Sequence, residues 1–253
     1  MTDTGREIPT PAPGGARRVY IHETIVITVA ERKAYLDHFT DVWGPRSREL
    51  YGMTCFGVWA TSGSTGSWPE AIVIWELEGP HHLTAMMTGE FDFLTRPVTG
   101  GDHYERFWGS APEGVVPTHG VDRLLEPSEG SRPIADLVAE GVHGAGYFHE
   151  TVALAPGAAP EYLECYERAY VPVAECYGLQ LVGAFRTLLR GDAEAVCLWA
   201  LPAWQAWEHL VTDLPTDPRL AEFRATSAAL GAAPVGKLLV GAARSPMEQG
   251  LLL

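Results

Sequence analysis

Tyr20-Ile21-His22-Glu23-Thr24, near the start of the chain, returns as Tyr147-Phe148-His149-Glu150-Thr151 past its middle. Both copies read Tyr-x-His-Glu-Thr and continue into aliphatic residues, and the offset between them is 127 positions (149 minus 22). A short stretch that is rich in aromatic and β-branched residues predicts a β-strand. Because the same strand occurs twice, we predict that the chain is a tandem repeat of one structural unit.

The predicted secondary structure follows the same order in both halves. A helical pattern comes after the first strand, and two strands joined by a loop of Ser, Gly and Thr come next. A second helix and a fourth strand complete the unit. The first-half elements are a strand at about 19–29, a helix at about 31–44, strands at about 53–61 and 71–77, a helix from about 81 and a strand near 121–125.

One face of the first predicted helix is apolar and recurs in the second half. Pro45 is expected to end or kink this helix, and Gly52 is expected to cap a short helical turn that follows it. The spacing of the apolar residues is that of one α-helical face. They are Tyr35, Leu36, Phe39, Val42 and Trp43, with Tyr162, Leu163, Tyr166, Ala169 and Tyr170 as their counterparts.

The order strand, helix, strand, strand, helix, strand is that of a ferredoxin-like unit. A sheet of this kind carries helices on one face only, so its other face needs a cover. Two tandem units can cover each other sheet against sheet. We therefore predict an α+β fold in which two ferredoxin-like βαββαβ units form an intramolecular pseudo-dimeric α+β barrel. The predicted divisions are a disordered leader at 1–17, the first unit at 18–133, a linker at 134–145 and the second unit at 146–247.

Composition excludes several classes of partner. The 253 residues carry a formal net charge of −14, and nucleic-acid phosphates repel an acidic surface, so we expect no nucleic-acid partner. We find no apolar run that could span a bilayer and no signal-peptide pattern, so we expect no membrane contact and a cytoplasmic protein. The four cysteines form no CxxC pair, which argues against a zinc knuckle or a redox dithiol. We expect a monomer, itself a pseudo-dimer, or a homodimer.

Several segments of the second half carry a family resemblance. They are Leu154-Ala155-Pro156-Gly157, Glu161-Tyr162-Leu163, Tyr170-Val171-Pro172-Val173, Gly178 to Gly183, Val196-Cys197-Leu198-Trp199-Ala200 and Arg244-Ser245-Pro246. On these residues the chain resembles the NIPSNAP family of the dimeric α+β barrel superfamily, well over about 146–246 and loosely over 19–133. It departs from the family pattern at Phe148-His149-Glu150, where Glu-Leu-Arg is common. The resemblance implies small-molecule work, since the superfamily includes polyketide cyclases, muconolactone-type isomerases, cofactor-free quinone-forming monooxygenases and some haem proteins.

Strand alternation divides the repeated motif between two faces. Tyr20, His22 and Thr24 point to one side of the strand and Glu23 points to the other. The glutamate side is the more aliphatic, as expected beneath helices, so we predict that the two histidines line a cavity in the barrel lumen. The candidate catalytic residues are His22, His149, Glu23 and Glu150, and the candidate ligand contacts are Tyr20, Tyr147, Thr24, Thr151, Trp59, Trp75 and Trp199.

A histidine in an apolar pocket titrates near neutral pH and suits general acid–base catalysis. We therefore predict a cyclase, isomerase or dehydratase that needs no cofactor and acts on a small hydrophobic cyclic or aromatic metabolite, with His22 or His149 as base. The glutamates would support the histidines. Three alternatives are a cofactor-free monooxygenase, a non-catalytic carrier or sensor of a hydrophobic ligand, and a haem protein. A purely structural role for these histidines and tyrosines is a fourth.

Two further predictions concern metal and a lid. The sequence holds no His-x3-His or His-Glu-x-x-His spacing, so no metal site is expected. The first half is longer than the second at roughly 88–120, and this segment is rich in aromatic residues. Long irregular segments often serve as lids, so we predict that it closes one mouth of the barrel.

Overall fold

The computed structural model describes residues 17–27, 32–88 and 119–253, with the side chains of 86–88 left aside. The predicted lid therefore lies almost wholly outside the described residues. The strands are β1 (Val19–Val26), β2 (Thr54–Thr61), β3 (Glu70–Leu77), β4 (His119–Pro127), β5 (Gly146–Ala153), β6 (Gln180–Thr187), β7 (Glu194–Leu201) and β8 (Ala233–Gly241).

Helices follow the strands in the predicted order. The α-helices are α1 (Arg32–His38), α2 (Gly44–Tyr51), α3 (Pro80–Thr88), α4 (Ile134–Ala139), α5 (Ala159–Cys165), α6 (Val171–Cys176), α7 (Gln205–Val211), α8 (Ala221–Ala229) and α9 (Pro246–Gln249). Two π-helical turns, at Phe39–Trp43 and Tyr166–Tyr170, and two 3₁₀ turns, at Leu214–Thr216 and Pro218–Leu220, connect some of them. None of the described helices is long and apolar enough to cross a bilayer.

The strands close into one antiparallel barrel in the order β1-β3-β2-β8-β5-β7-β6-β4. Each half contributes four neighbouring strands, with β1 or β5 at an inner position of its sheet. The predicted fold of two tandem ferredoxin-like units is thus confirmed. The halves meet at two short seams, β2 with β8 and β4 with β6, each of three residue pairs.

Each seam carries an ion pair between the halves. Arg123 Nε lies 2.8 Å from Glu194 Oε1, and Lys237 contacts Glu70. The two pairs occupy equivalent positions, because each cation stands beside the histidine of its own half in the strand register. They join the halves at seams where few strand residues pair.

The first helix departs from the predicted pattern at Val42. Tyr35, Phe39 and Trp43 are buried as expected, but Val42 is 40% exposed. The reason is the π-helical turn at Phe39–Trp43, because a π turn holds more residues than an α turn and rotates the following side chains.

Pro45 and Gly52, which follow the first helix, can be compared with their predicted roles. Pro45 does not end the helical segment, since it lies in the first turn of α2, where a missing N–H costs nothing. Gly52 caps α2 in the left-handed conformation at φ 67°, as predicted.

Side chains from both halves fill the centre of the barrel. Tyr20 packs against Phe185 and Phe56 with ring centroids 5.0 and 5.3 Å apart, and Trp59 packs against Tyr147 at 5.7 Å. All five are at most 1% exposed. This part of the lumen is a packed core, and it closes at one end with residues of α4 and α9.

Candidate active site

The candidate site is centred on the carboxyl group of Glu150. Its strand, β5, alternates as predicted, so His149 faces the lumen and Glu150 faces the helices of the second half. Phe148, two residues earlier, lies on the same helix-facing side. Both residues are partly buried, and both border a cavity between the sheet and the helices.

The cavity has a volume of about 340 Å³. That volume is at the lower end of the range of small-molecule sites, so it suits a small ligand. Its walls come from β5, the second π turn, α7, the two 3₁₀ turns and α8, which together build a mostly apolar surface. The lining residues are Phe148, Glu150, Tyr170, Leu210, Val211, Leu214, Pro215, Leu220, Phe223 and Arg224.

Burial sets the chemistry of Glu150. It raises the pKa of this carboxyl to about 7, because the charged form loses its hydration in the apolar surroundings. Within the described part of the chain no side chain donates a hydrogen bond to it. A carboxyl of this kind is half ionised near neutral pH and can remove or return a proton.

Tyr170 and Phe223 line one wall of the cavity, and further aromatic rings pack behind them. Tyr166 and Tyr170 lie four residues apart on the π turn, with centroids 4.7 Å apart and planes at 18°. Tyr170 also packs against Phe223 at 4.9 Å. Behind them the Trp199 indole N–H donates to the Tyr166 hydroxyl at 2.7 Å. Burial raises the pKa of Tyr170 above its ordinary range, so its hydroxyl remains a proton donor.

The equivalent glutamate of the first half has different neighbours. Glu23 accepts a hydrogen bond from the Trp75 indole N–H at 3.2 Å and lies opposite Asp122 in the register of β1 and β4. Burial, followed by the repulsion of Asp122, raises the pKa of Glu23 to about 8. Burial also raises the pKa of Asp122. Two carboxyl groups therefore stand together here, where the second half has one.

The two histidines face the lumen and meet each other. His22 Nε2 lies 2.9 Å from His149 Nε2, and the residues are 0% and 1% exposed. Burial, helped by the charge of Arg123, lowers the pKa of His22 to about 3, and burial lowers that of His149 well below its ordinary value. The expectation of near-neutral titration is therefore wrong, because packed side chains rather than a solvated pocket surround the pair.

The predicted ligand contacts are divided between the two faces. Tyr20, Tyr147 and Trp59 belong to the packed lumen, where the Tyr20 hydroxyl donates to Glu76 at 2.9 Å. Thr24 and Thr151 lie further along the same face and are partly buried.

The two tryptophans of β3 and β7 lie elsewhere. Trp75 and Trp199 pack in the sheet–helix cores of the two halves, so they do not line the lumen. The register explains this, because they stand opposite Ile21 and Phe148 on the helix-facing side. Trp199 lies instead behind the aromatic wall of the cavity.

Most of the cavity was not predicted from the sequence. Tyr170 belongs to a predicted helix face, but no sequence pattern marks Leu214, Phe223 or Arg224 as site residues. The one available signal was a glutamate in an aliphatic strand, since a carboxylate on a buried face needs a partner. Among the described residues no three His, Cys, Asp or Glu side chains cluster as metal ligands would.

Comparison with known proteins supports the fold. No family model and no curated protein matches the chain. A protein from Lactobacillus acidophilus NCFM, provisionally assigned as a monooxygenase, is 9% identical over 88% of this chain and 93% of its own, with a TM-score of 0.56. An anthrone oxidase-like protein is 13% identical over 89% of this chain and 91% of its own, with a TM-score of 0.55.

NIPSNAP family proteins are also among the similar structures. One, from Agrobacterium tumefaciens str. C58, has unknown function and is 26% identical over 38% of this chain and 86% of its own, with a TM-score of 0.34. The predicted barrel fold is supported by the two full-length neighbours, whose TM-scores are 0.56 and 0.55. The closed eight-stranded barrel with helices outside it is the dimeric α+β barrel fold.

Proposed function

We propose that the second-half cavity binds a small, flat, hydrophobic metabolite and that Glu150 removes a proton from it. The observation that carries this proposal is a carboxyl that faces an apolar cavity, has no hydrogen-bond donor among the described residues, and has its pKa raised to about 7. A structural carboxylate in such surroundings would normally be paired. A base poised near the working pH is what acid–base catalysis requires.

The remaining walls suit the same chemistry. Removing a proton from carbon next to a carbonyl leaves negative charge on the carbonyl oxygen. Tyr170 keeps its proton and borders the cavity, so its hydroxyl can donate to that oxygen. Phe223 and the tyrosine ring can hold a flat ring by stacking. Returning the proton at another carbon gives an isomerisation, and attack by the carbanion within the same molecule gives a cyclisation.

A second candidate is a cofactor-free monooxygenase that uses the same base. The full-length structural neighbours include one provisionally assigned as a monooxygenase and one described as anthrone oxidase-like. There the carbanion formed by Glu150 would reduce molecular oxygen. With anthrone, one oxygen atom would enter the ring as the new carbonyl, and the other would leave as water with the two hydrogens lost from carbon.

Deuterium exchange tests the shared step without knowledge of the natural substrate. The bicyclic ketone 2-tetralone has acidic C–H bonds, and we expect the protein to speed their exchange in D₂O, measured by proton NMR. Anthrone under air and under argon separates the two candidates, since only the monooxygenase consumes oxygen. Binding of both probes without exchange or oxidation would refute catalysis by Glu150 and support a carrier or sensor.

A further inference from the structure

Arg224 borders the cavity and is exposed to solvent, which places it at the opening. It lies on α8, whereas Glu150 lies on the strand β5. The cavity thus has an acid group on the sheet and a guanidinium group at the helices, with apolar side chains between them. A ligand that spans the cavity meets the proposed base at one end and a cation at the other.

The guanidinium group is held in place but not neutralised. Its Nη1 donates to the backbone carbonyl oxygens of Pro215 at 3.1 Å and Asp217 at 2.9 Å, in the turns that form the same wall. Both contacts use one nitrogen. Within the described residues, Nε and Nη2 make no hydrogen bond, so three N–H groups on two nitrogen atoms remain for a ligand.

Arg224 differs in this from the other arginines of its half. The chain has six arginines after position 146. Five of them lie within 4.0 Å of a carboxylate oxygen, and only Arg224 has no such partner in the described part of the chain. In a chain with a net charge of −14, a cation without a carboxylate beside a cavity points to an anionic ligand.

We propose that Arg224 binds an anionic oxygen of the ligand, so that the substrate class is a flat aromatic or cyclic acid, either a carboxylate or a phenolate. This inference rests on the proposed function. The planar guanidinium fork presents its remaining N–H groups in a geometry that fits a carboxylate. Glu150 repels the same group when ionised, so the anionic end lies at Arg224 and the carbon that loses its proton lies towards Glu150.

Two probes that differ only in charge test this assignment. 2-Naphthoate and its neutral isostere 2-naphthamide are titrated by calorimetry at low salt and about pH 6, below the pKa of Glu150 of about 7. We expect the wild-type protein to prefer naphthoate by about tenfold, as for a charge-assisted hydrogen bond that is partly exposed. Arg224→Gln should abolish the preference and leave binding of the amide unchanged.

Matched variants make the result decisive. Arg168→Gln removes an exposed arginine of the same half that pairs with Glu222 and does not border the cavity, so it should keep the full preference. Arg224→Lys keeps the charge and should keep part of it. It also shows whether loss in the glutamine variant reflects charge or misfolding, as does the circular dichroism of each variant.

The outcomes separate this inference from the proposed function. Equal binding of the two probes to the wild-type protein, or a preference that survives Arg224→Gln, overturns the role of Arg224. The wild-type exchange of 2-tetralone does not depend on either result, because that ketone carries no anionic group in its ground state. Persistent exchange with no charge preference would refute only the inference, and loss of both would refute the two together.

Discussion

The two halves bury a glutamate at the same strand position but give it different neighbours. In the first half the Trp75 indole N–H donates to Glu23, and in the second half the Trp199 indole N–H donates to the Tyr166 hydroxyl. The first-half equivalent of Tyr166 is Phe39, which has no hydroxyl. The second half thus has a hydroxyl that accepts the indole N–H, and the first half has none at that position.

A second difference lies on the neighbouring strand. Glu23 stands opposite Asp122, whereas Glu150 stands opposite Gly236. The Phe148 ring occupies the space above that glycine, since a Cβ there would lie 2.5 Å from Phe148 Cε2. The second half thus keeps one carboxyl and an apolar wall, and the first keeps two carboxyls. The two halves share one frame and differ in the residues around one strand position.

The largest expected effect distinguishes the two glutamates by activity. Glu150→Gln should slow deuterium exchange of 2-tetralone by about a hundredfold or more, because the amide cannot accept the proton. Glu23→Gln should leave the rate within about twofold of wild type. Proton NMR in D₂O measures both. The reverse ranking would show that the first half holds the base.

Stability against pH compares the same two residues without any ligand. Each glutamate has a folded-state pKa above its ordinary value of 4.5, about 8 for Glu23 and about 7 for Glu150. The folded state therefore binds these two protons more tightly than the unfolded state does. The contribution of each glutamate to stability is complete below about pH 4.5 and is lost as pH rises towards its folded-state pKa. Glutamine does not titrate and removes this loss.

Urea unfolding at about pH 5 and about pH 8 measures the difference. Relative to wild type, Glu23→Gln should gain on the order of 1–3 kcal/mol in the free energy of unfolding between the two pH values, and Glu150→Gln should gain less. The buried histidines contribute in the opposite direction, because their contribution to stability is lost as pH falls below about 6.5. That contribution is the same in all the variants and cancels when they are compared. Equal gains would show that the two carboxyls have similar surroundings.

A smaller effect tests the wall that only the second half has. Gly236→Ala places a Cβ within 2.5 Å of the Phe148 ring, which must then move. Because Phe148 lines the cavity, we expect 2-naphthoate to bind roughly fivefold more weakly in the same calorimetric titration, by an amount typical of a modest loss of packing. Gly120→Ala in β4 is the control, since its Cβ would meet Thr24 O at an ordinary 3.7 Å. Unchanged affinity in Gly236→Ala would place the ligand elsewhere.

The sequence predicted the barrel and the faces of its strands, because both follow from local pattern. The period of two placed His22 towards the lumen and Glu23 towards the helices. It could not predict that the lumen is filled, since Trp59 and Phe185 reach the centre from strands of opposite halves. Whether a buried histidine titrates near neutrality depends on that filling, so the lowered pKa of His22 has no local signal in the sequence.

The cavity could not be predicted from the sequence pattern, for a related reason. Its outer wall combines Leu214, Phe223 and Arg224, which come from a 3₁₀ turn and a helix with no marked periodicity. Their approach to Glu150 depends on how two turns pack against the sheet. The unpaired glutamate was visible in the sequence as a residue needing a partner, and the structure shows that no described side chain provides one.

The smallest effect tests the single oxygen atom that distinguishes the halves. Tyr166→Phe removes the hydroxyl that accepts the Trp199 N–H, so the indole would be free to donate to Glu150, as Trp75 does to Glu23. A hydrogen bond to the ionised carboxyl lowers its pKa, by up to about one unit for a single neutral donor. The pH profile of 2-tetralone exchange should then shift towards acid, with the rate at its plateau little changed. Phe39→Tyr is the converse change and should leave that profile in place, because it offers Trp75 a hydroxyl in the half that lacks the cavity. A profile that does not move in Tyr166→Phe would mean that Trp199 cannot reach Glu150, and that the difference between the halves depends on Asp122 and Gly236 instead.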